Sequence, residues 1–127
     1  MTELTPTCLT FETEMTSGLS LQIIRTLFLQ GDQQAHQLKV NLTNDGEPCD
    51  LAGCTVSGLM QRSDGTTLPM TGEVSGGAAC LTLPAQAYAV PGRFLLSMQV
   101  AKGAMTCTVL LAEGAVTATR TACVLGE

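Results

Sequence analysis

The chain has 127 residues, enough for one domain; halves of that length would each be too small to bury a core. It is 45% hydrophobic and 13% charged, which excludes disorder, and its net charge of -5 repels nucleic-acid phosphate. Aromatic residues make up 3%, with no Trp, so the core must be aliphatic. Neither a base-stacking platform nor an aromatic sugar site has material to build on.

Residues 1–18 are dominated by Thr, Glu and Pro, with Cys8, Leu9 and Phe11 as the apolar cluster. They read as an N-terminal arm holding at most one short strand, with residues 19–127 as a single domain. The segment Leu19–Leu29, LSLQIIRTLFL, alternates and then loses phase at Ile24, Leu27 and Phe28. Composition also fits a helix there, but the Ile pair, Thr26 and the stop at Gly31-Asp32 favour a bulged strand. In His36–Thr43, Leu38, Val40 and Leu42 alternate with Lys39, Asn41 and Thr43, the pattern of a half-buried strand. Asn44-Asp45-Gly46 ends it, because these residues tolerate positive φ.

A second strand is expected over Cys54–Gln61, with Cys54, Val56 and Gly58 on one face. Ser63-Asp64-Gly65 turns the chain. Thr66–Met70 and Gly72–Val74 are short strand candidates, Gly76-Gly77 is a turn, and Ala79–Leu83 is another strand. Pro84–Tyr88 is the one expected helical turn, since Pro suits a first helical position and Ala favours helix. Val90-Pro91-Gly92 ends it. Two strong strands follow. Phe94, Leu96, Met98 and Val100 alternate with Leu95, Ser97 and Gln99. Met105, Cys107, Val109 and Leu111 alternate with Thr106, Thr108 and Leu110. Ala101–Ala104 joins them as a tight hairpin. Val116–Thr121 is a candidate last strand. About seven to nine short strands without βα alternation predict an all-β, antiparallel, Ig-like β-sandwich.

Chemistry is sparse. His36 is the only imidazole and has no nucleophile beside it, so it reads as a solvent-facing strand residue. Asp32, Asp45, Glu47, Asp50 and Asp64 fall in loops. Calcium is one reading of such acids, but the spacing is not that of a dense calcium loop, and turn chemistry accounts for them better. The six cysteines, Cys8, Cys49, Cys54, Cys80, Cys107 and Cys123, include no C-x-x-C pair. MTELTPTCLTFETE has no apolar secretory core, so the expectation is reduced thiols acting as small hydrophobes. Neither a zinc set, a phosphate cradle, a basic patch nor a membrane span is legible. Arg25, Arg62, Arg93 and Arg120 stand apart. Tyr88 is expected as an amphipathic plug over one end of the sandwich. No catalytic, cofactor or metal residues are assigned.

The ordered set of turns carries a resemblance. An apolar strand ends at Gly31-Asp32, and the polar-alternating strand HQLKVNLT follows. Next come a D-G-x-P-x-D-L-x-G stretch over Asp45–Gly53, a Val-bearing strand, and a second D-G turn at Asp64-Gly65. Leu83-Pro84-Ala85-Gln86 and Val90-Pro91-Gly92-Arg93-Phe94 then lead into a final hairpin. Over roughly residues 20–120 the chain resembles the N-terminal domain of phage baseplate upper proteins. That resemblance implies a small β-sandwich of structural role, attached to other phage tail or baseplate proteins. It implies a homo-oligomer in the virion, made in the bacterial cytoplasm and not secreted, without enzymatic activity, nucleic-acid partner or membrane partner. The connector to a receptor-binding protein is expected to be missing, since the chain stops at Glu127. The alternative is an Ig-like adhesion or carbohydrate-binding module of a bacterial surface.

Overall fold

Alternating strands bury one face each, and here two such sheets close on one another. The computed structural model describes residues 5–118. Eleven strands and one 3-10 turn occur among them: β1 Thr7–Glu14, β2 Leu21–Ile23, β3 Phe28–Leu29, β4 His36–Asn44, β5 Glu47–Pro48, β6 Thr55–Gln61, β7 Thr67–Thr71, β8 Glu73–Ser75, β9 Ala78–Thr82, the turn Ala85–Tyr88, β10 Gly92–Lys102 and β11 Met105–Thr117. The first sheet runs β1-β4-β9-β8, with β5 on the end of β4. The second runs β2-β11-β10-β6-β7, with β3 also on β11.

The sandwich is as expected, but its sheets are mixed rather than purely antiparallel. β1 pairs with β4 in parallel, as do β2 and β3 with β11. The chain leaves β1 for the second sheet and returns to the first as β4, a crossover instead of a hairpin. The count exceeds the expected seven to nine because the Leu19–Leu29 segment splits into β2 and β3, and because β5 is only two residues long. Val116 and Thr117 are the end of β11, not a separate strand. The rest of the expected 116–121 strand, with Arg120 and Cys123, lies outside the described residues.

Residues 7–14, expected within an arm, form the eight-residue edge strand of the first sheet. Leu9 and Phe11 pack against the core. Polar Thr and Glu between them hid a genuine two-residue alternation. β1 begins beside His36, and β11 ends beside β3 and Gly92, so both emerge at the same end of the sandwich.

The core follows the period-two pattern. His36, Leu38, Val40 and Leu42 point inward from β4; Val56, Gly58 and Met60 from β6; Phe94, Leu96, Met98 and Val100 from β10. Leu81 of β9, beside β4 in the first sheet, and Leu83 just after it complete the core. Each fully buried leucine contributes about 1.5–3 kcal/mol relative to exposure. Gly58 is small for a reason: a Cβ there would lie 2.6 Å from Leu81 Cδ2.

β11 departs from simple alternation. Met98 faces Leu110 and Gln99 faces Thr108, so Val109 is an extra residue in the ladder. This β-bulge inverts the phase of everything after it. Leu110 is buried and Leu111 is exposed, the reverse of the alternation expected from the sequence. The Val109 carbonyl accepts a hydrogen bond from Thr13 Oγ1 at 2.7 Å, which ties β1 to the opposite sheet.

Between β7 and β8 the chain passes directly from one sheet to the other through Gly72. Its N–H donates to the Val56 carbonyl at 2.8 Å. A Cβ on Gly72 would collide with the Cys80 carbonyl oxygen and lie 2.7 Å from Val56 Cγ1. Backbone cannot move aside cheaply, so Gly72→Ala is expected to destabilise the domain by about 1–3 kcal/mol. Urea unfolding with an unchanged denaturant slope is the measurement.

Candidate interaction surface

His36 is buried, not solvent-facing as the polar strand pattern suggested. Tyr88, on the 3-10 turn, is the reason. Its hydroxyl accepts the His36 backbone N–H at 3.1 Å and lies 3.0 Å from His36 Nδ1. The hydroxyl thus bonds both the backbone and the ring of one residue, and the proton of the second bond sits on the hydroxyl or on Nδ1 according to the ring tautomer. Phe28 stacks on His36 with ring centroids 4.2 Å apart, and lies 5.6 Å from both Tyr88 and Phe94. Tyr88 does close the end of the sandwich, but from within, fully buried. Burial pushes its phenol up to about 12.

Burial also holds the His36 ring below its usual value of 6.5, against the opposing charge of Asp32. The unfolded chain therefore binds a proton that the folded chain refuses. This contribution to stability is complete above about pH 6.5 and is lost as pH falls below it. Tyr88→Phe keeps the ring but strands two His36 groups. The expected cost is about 1–3 kcal/mol, together with a changed slope of melting temperature against pH between pH 5 and 7, about the range in which His titrates.

The turn residues fall into two groups. Gly31, Asp64-Gly65 and Pro91-Gly92 gather at the Tyr88 end. Ser63 Oγ donates to the Pro91 carbonyl at 2.6 Å, Arg62 Nη1 to the Gln86 carbonyl at 3.2 Å, and Gln30 Nε2 to the Ala89 carbonyl at 2.9 Å. Asp32 closes its turn through its N–H on the Leu29 carbonyl at 3.1 Å. Gly65 has φ +86°, as a three-residue hairpin loop with a left-handed glycine needs.

Asp45-Gly46 lies at the opposite end, with φ of 53° and 81°, the pattern of a type I′ hairpin turn. Its two amides donate to the Glu14 carboxylate at 3.0 and 2.8 Å. Thr16 and Thr43 hydroxyls donate to the same group at 2.6 and 2.9 Å. The Thr16 hydroxyl and the Gly46 amide hold the Glu14 carboxyl far below the usual carboxylate range. Sequence reading missed Glu14, because three of its four partner residues are 29–32 residues away. Its contribution is present above about pH 4.5 and fades as pH falls through the acid range. Glu14→Gln is expected to lower the melting temperature at neutral pH and flatten its decline below pH 4.5, read by scanning calorimetry.

The remaining loop acids serve turns. Asp50 Oδ1 accepts the Ala52 N–H, and Asp64 Oδ1 accepts the Thr66 N–H, each at 3.0 Å. Among the described residues no group of three His, Cys, Asp or Glu is placed to hold a metal ion. Cys8, Cys49, Cys54, Cys80 and Cys107 carry free thiols. The surface depressions are open clefts. One of about 500 Å³ is lined by Thr5, Pro6, Thr7, Gln33, Gln34 and Ala35, with no nucleophile and base among them. No described helix is long and apolar enough to cross a membrane.

The distinctive surface is the outer face of the second sheet. Leu21, Leu111, Ser97, Leu59 and Pro69 lie in one row across five strands of the sheet, β2-β11-β10-β6-β7. Ile23, Glu113, Leu95, Gln61 and Thr67 form the next row. Leu21, Ile23, Leu59, Leu95 and Leu111 are 40–52% exposed. Arg93 and Glu113 are the only charges on the strand residues of this face, and they pair loosely at 3.7 Å.

Residues 6–109 match the model of the BppU N-terminal domain family. The chain belongs to that family. The BppU match takes in β1 and ends within β11, so it starts earlier than the resemblance read from the turns. Among solved structures, the chain is similar to the N-terminal domain of phage TP901-1 ORF48, with a TM-score of 0.52 and 11% identity. That similarity covers 87% of this chain and 98% of the other. At such identity it speaks for the shared fold. No curated protein matches. The family is one of phage baseplate structural proteins, and the β-sandwich fold agrees with it.

Proposed function

We propose that this chain is a non-enzymatic building block of a phage or prophage tail baseplate. It acts by protein–protein contact with other baseplate or tail proteins, and it resides in the virion after synthesis in the bacterial cytoplasm. The observation that carries this reading is the BppU family match over residues 6–109. The side chains agree with it. The one histidine is buried and neutral in a hydrogen bond to Tyr88, so it serves packing rather than proton transfer. The turn residues Gly31, Asp32, Asp45, Gly46, Asp64, Gly65, Pro91 and Gly92 act in this reading as scaffold, shaping the two ends of the sandwich.

The alternative carbohydrate-binding reading needs aromatic faces at the surface. Phe28, Tyr88 and Phe94 are buried, and Phe11 packs against the core. With no Trp in the chain, nothing favours that alternative.

The experiment is to purify tail particles from the source strain after phage induction and identify their proteins by mass spectrometry. The chain is expected in intact particles at a stoichiometry comparable to other baseplate components. Particles that contain the other baseplate proteins but lack this chain would overturn the reading.

A further inference from the structure

We infer that the outer face of the second sheet is a self-association surface, occupied by the same face of a second copy of this chain. This goes beyond the baseplate reading and rests on the face alone.

Three observations select a second copy. The first is charge. The chain carries a net charge of -5, so copies repel one another over most of their surface. This face has one positive and one negative strand residue, Arg93 and Glu113, and is otherwise uncharged. It is where two such chains meet without like-charge repulsion.

The second is self-complementarity. A two-fold contact brings the same patch against itself, so each residue type must tolerate its own symmetry mates. Leucine rows, Ser and Thr do so. Arg93, 86% exposed and only 3.7 Å from Glu113 within its own chain, is free to exchange to the Glu113 carboxylate of the second copy, and the reciprocal pair forms by symmetry.

The third is area. Five strands about 4.8 Å apart, rising about 3.3 Å per residue, make a face of roughly 600 Å². A standard interface takes about 800 Å² from each partner. The five exposed Leu and Ile side chains supply on the order of 400 Å² of apolar surface at its centre, the upper range that monomers leave in water. Two sheets meeting this way pack about 10 Å apart with their strands nearly aligned.

The test uses the purified full chain in sedimentation velocity and light scattering. Wild type is expected to run with the mass of two chains. Leu59→Glu with Leu95→Glu places like charges at two exposed positions and is expected to give a folded monomer, with circular dichroism and melting temperature as fold controls. Arg93→Glu and Glu113→Arg, each alone, are expected to weaken the dimer at least tenfold. Mixing those two variants is expected to restore a heterodimer, an outcome only a second copy at this face produces.

A wild-type chain that stays monomeric at about 100 µM overturns the proposal, since a specific contact of this size is tighter than that. So does a dimer that persists in the folded double Glu variant, because it uses another face. A monomer captured by a tail protein through this face also overturns it, assigning the face to that protein. Absence of the chain from tail particles bears on the baseplate reading and not on self-association, which is read from the purified chain.

Discussion

One buried hydroxyl organises the Tyr88 end of the sandwich. Tyr88 leaves the 3-10 turn and meets the first residue of β4 twice, at its backbone N–H and at its ring. Phe28 from β3 stacks on His36 and Phe94 from β10 stacks on Phe28, so both sheets and the connecting turn share one aromatic cluster. In a chain with 3% aromatics, concentrating three of the four at one end is a choice of place over number. The aliphatic remainder packs without direction; this cluster supplies direction, because hydrogen bonds fix one hydroxyl against both the backbone and the ring of His36.

The other end reaches order through charge. The Glu14 carboxylate collects two turn amides and two Thr hydroxyls, joining the end of β1 to the β4–β5 hairpin. One residue before Glu14, Thr13 satisfies the carbonyl of the bulged Val109. β1 is thus held along its length: by its ladder with β4, by a cross-sheet bond at Thr13, and by the Glu14 hub. No buried side-chain polar atom among the described residues lacks a partner. That closure suits the proposed role of presenting a surface rather than changing shape.

The sequence made the strands legible where alternation was clean. β4, β6 and β10 stand where periodicity places them, and the turns at Asp45-Gly46 and Asp64-Gly65 followed from the need for positive φ. Three features were not legible, for physical reasons. His36 looked polar because its partner, Tyr88, lies 52 residues on. β1 looked like an arm because its inward residues are few and its stabilising contacts lie in β4, β11 and the Asp45 turn. Leu111 looked buried because a bulge is a one-residue event that periodicity cannot register. The same blindness hid the exposed sheet face: its leucines were distributed over four strands and met only through the ladder registers.

The placement of the two outermost strands has a mechanical meaning. β1 begins and β11 ends at the Tyr88 pole, while the Asp45-Gly46 turn and the Gly103 hairpin point to the far pole. The described chain therefore enters and leaves the sandwich at one pole. A pulling load shared by the two ends would act on the first rungs of β1–β4 and the last rungs of β10–β11. Those ladders would open rung by rung like a zipper, instead of resisting in parallel as strands do under shear. The aromatic cluster sits at that point of first opening, so the chain's scarcest side chains guard the place where it would begin to come apart.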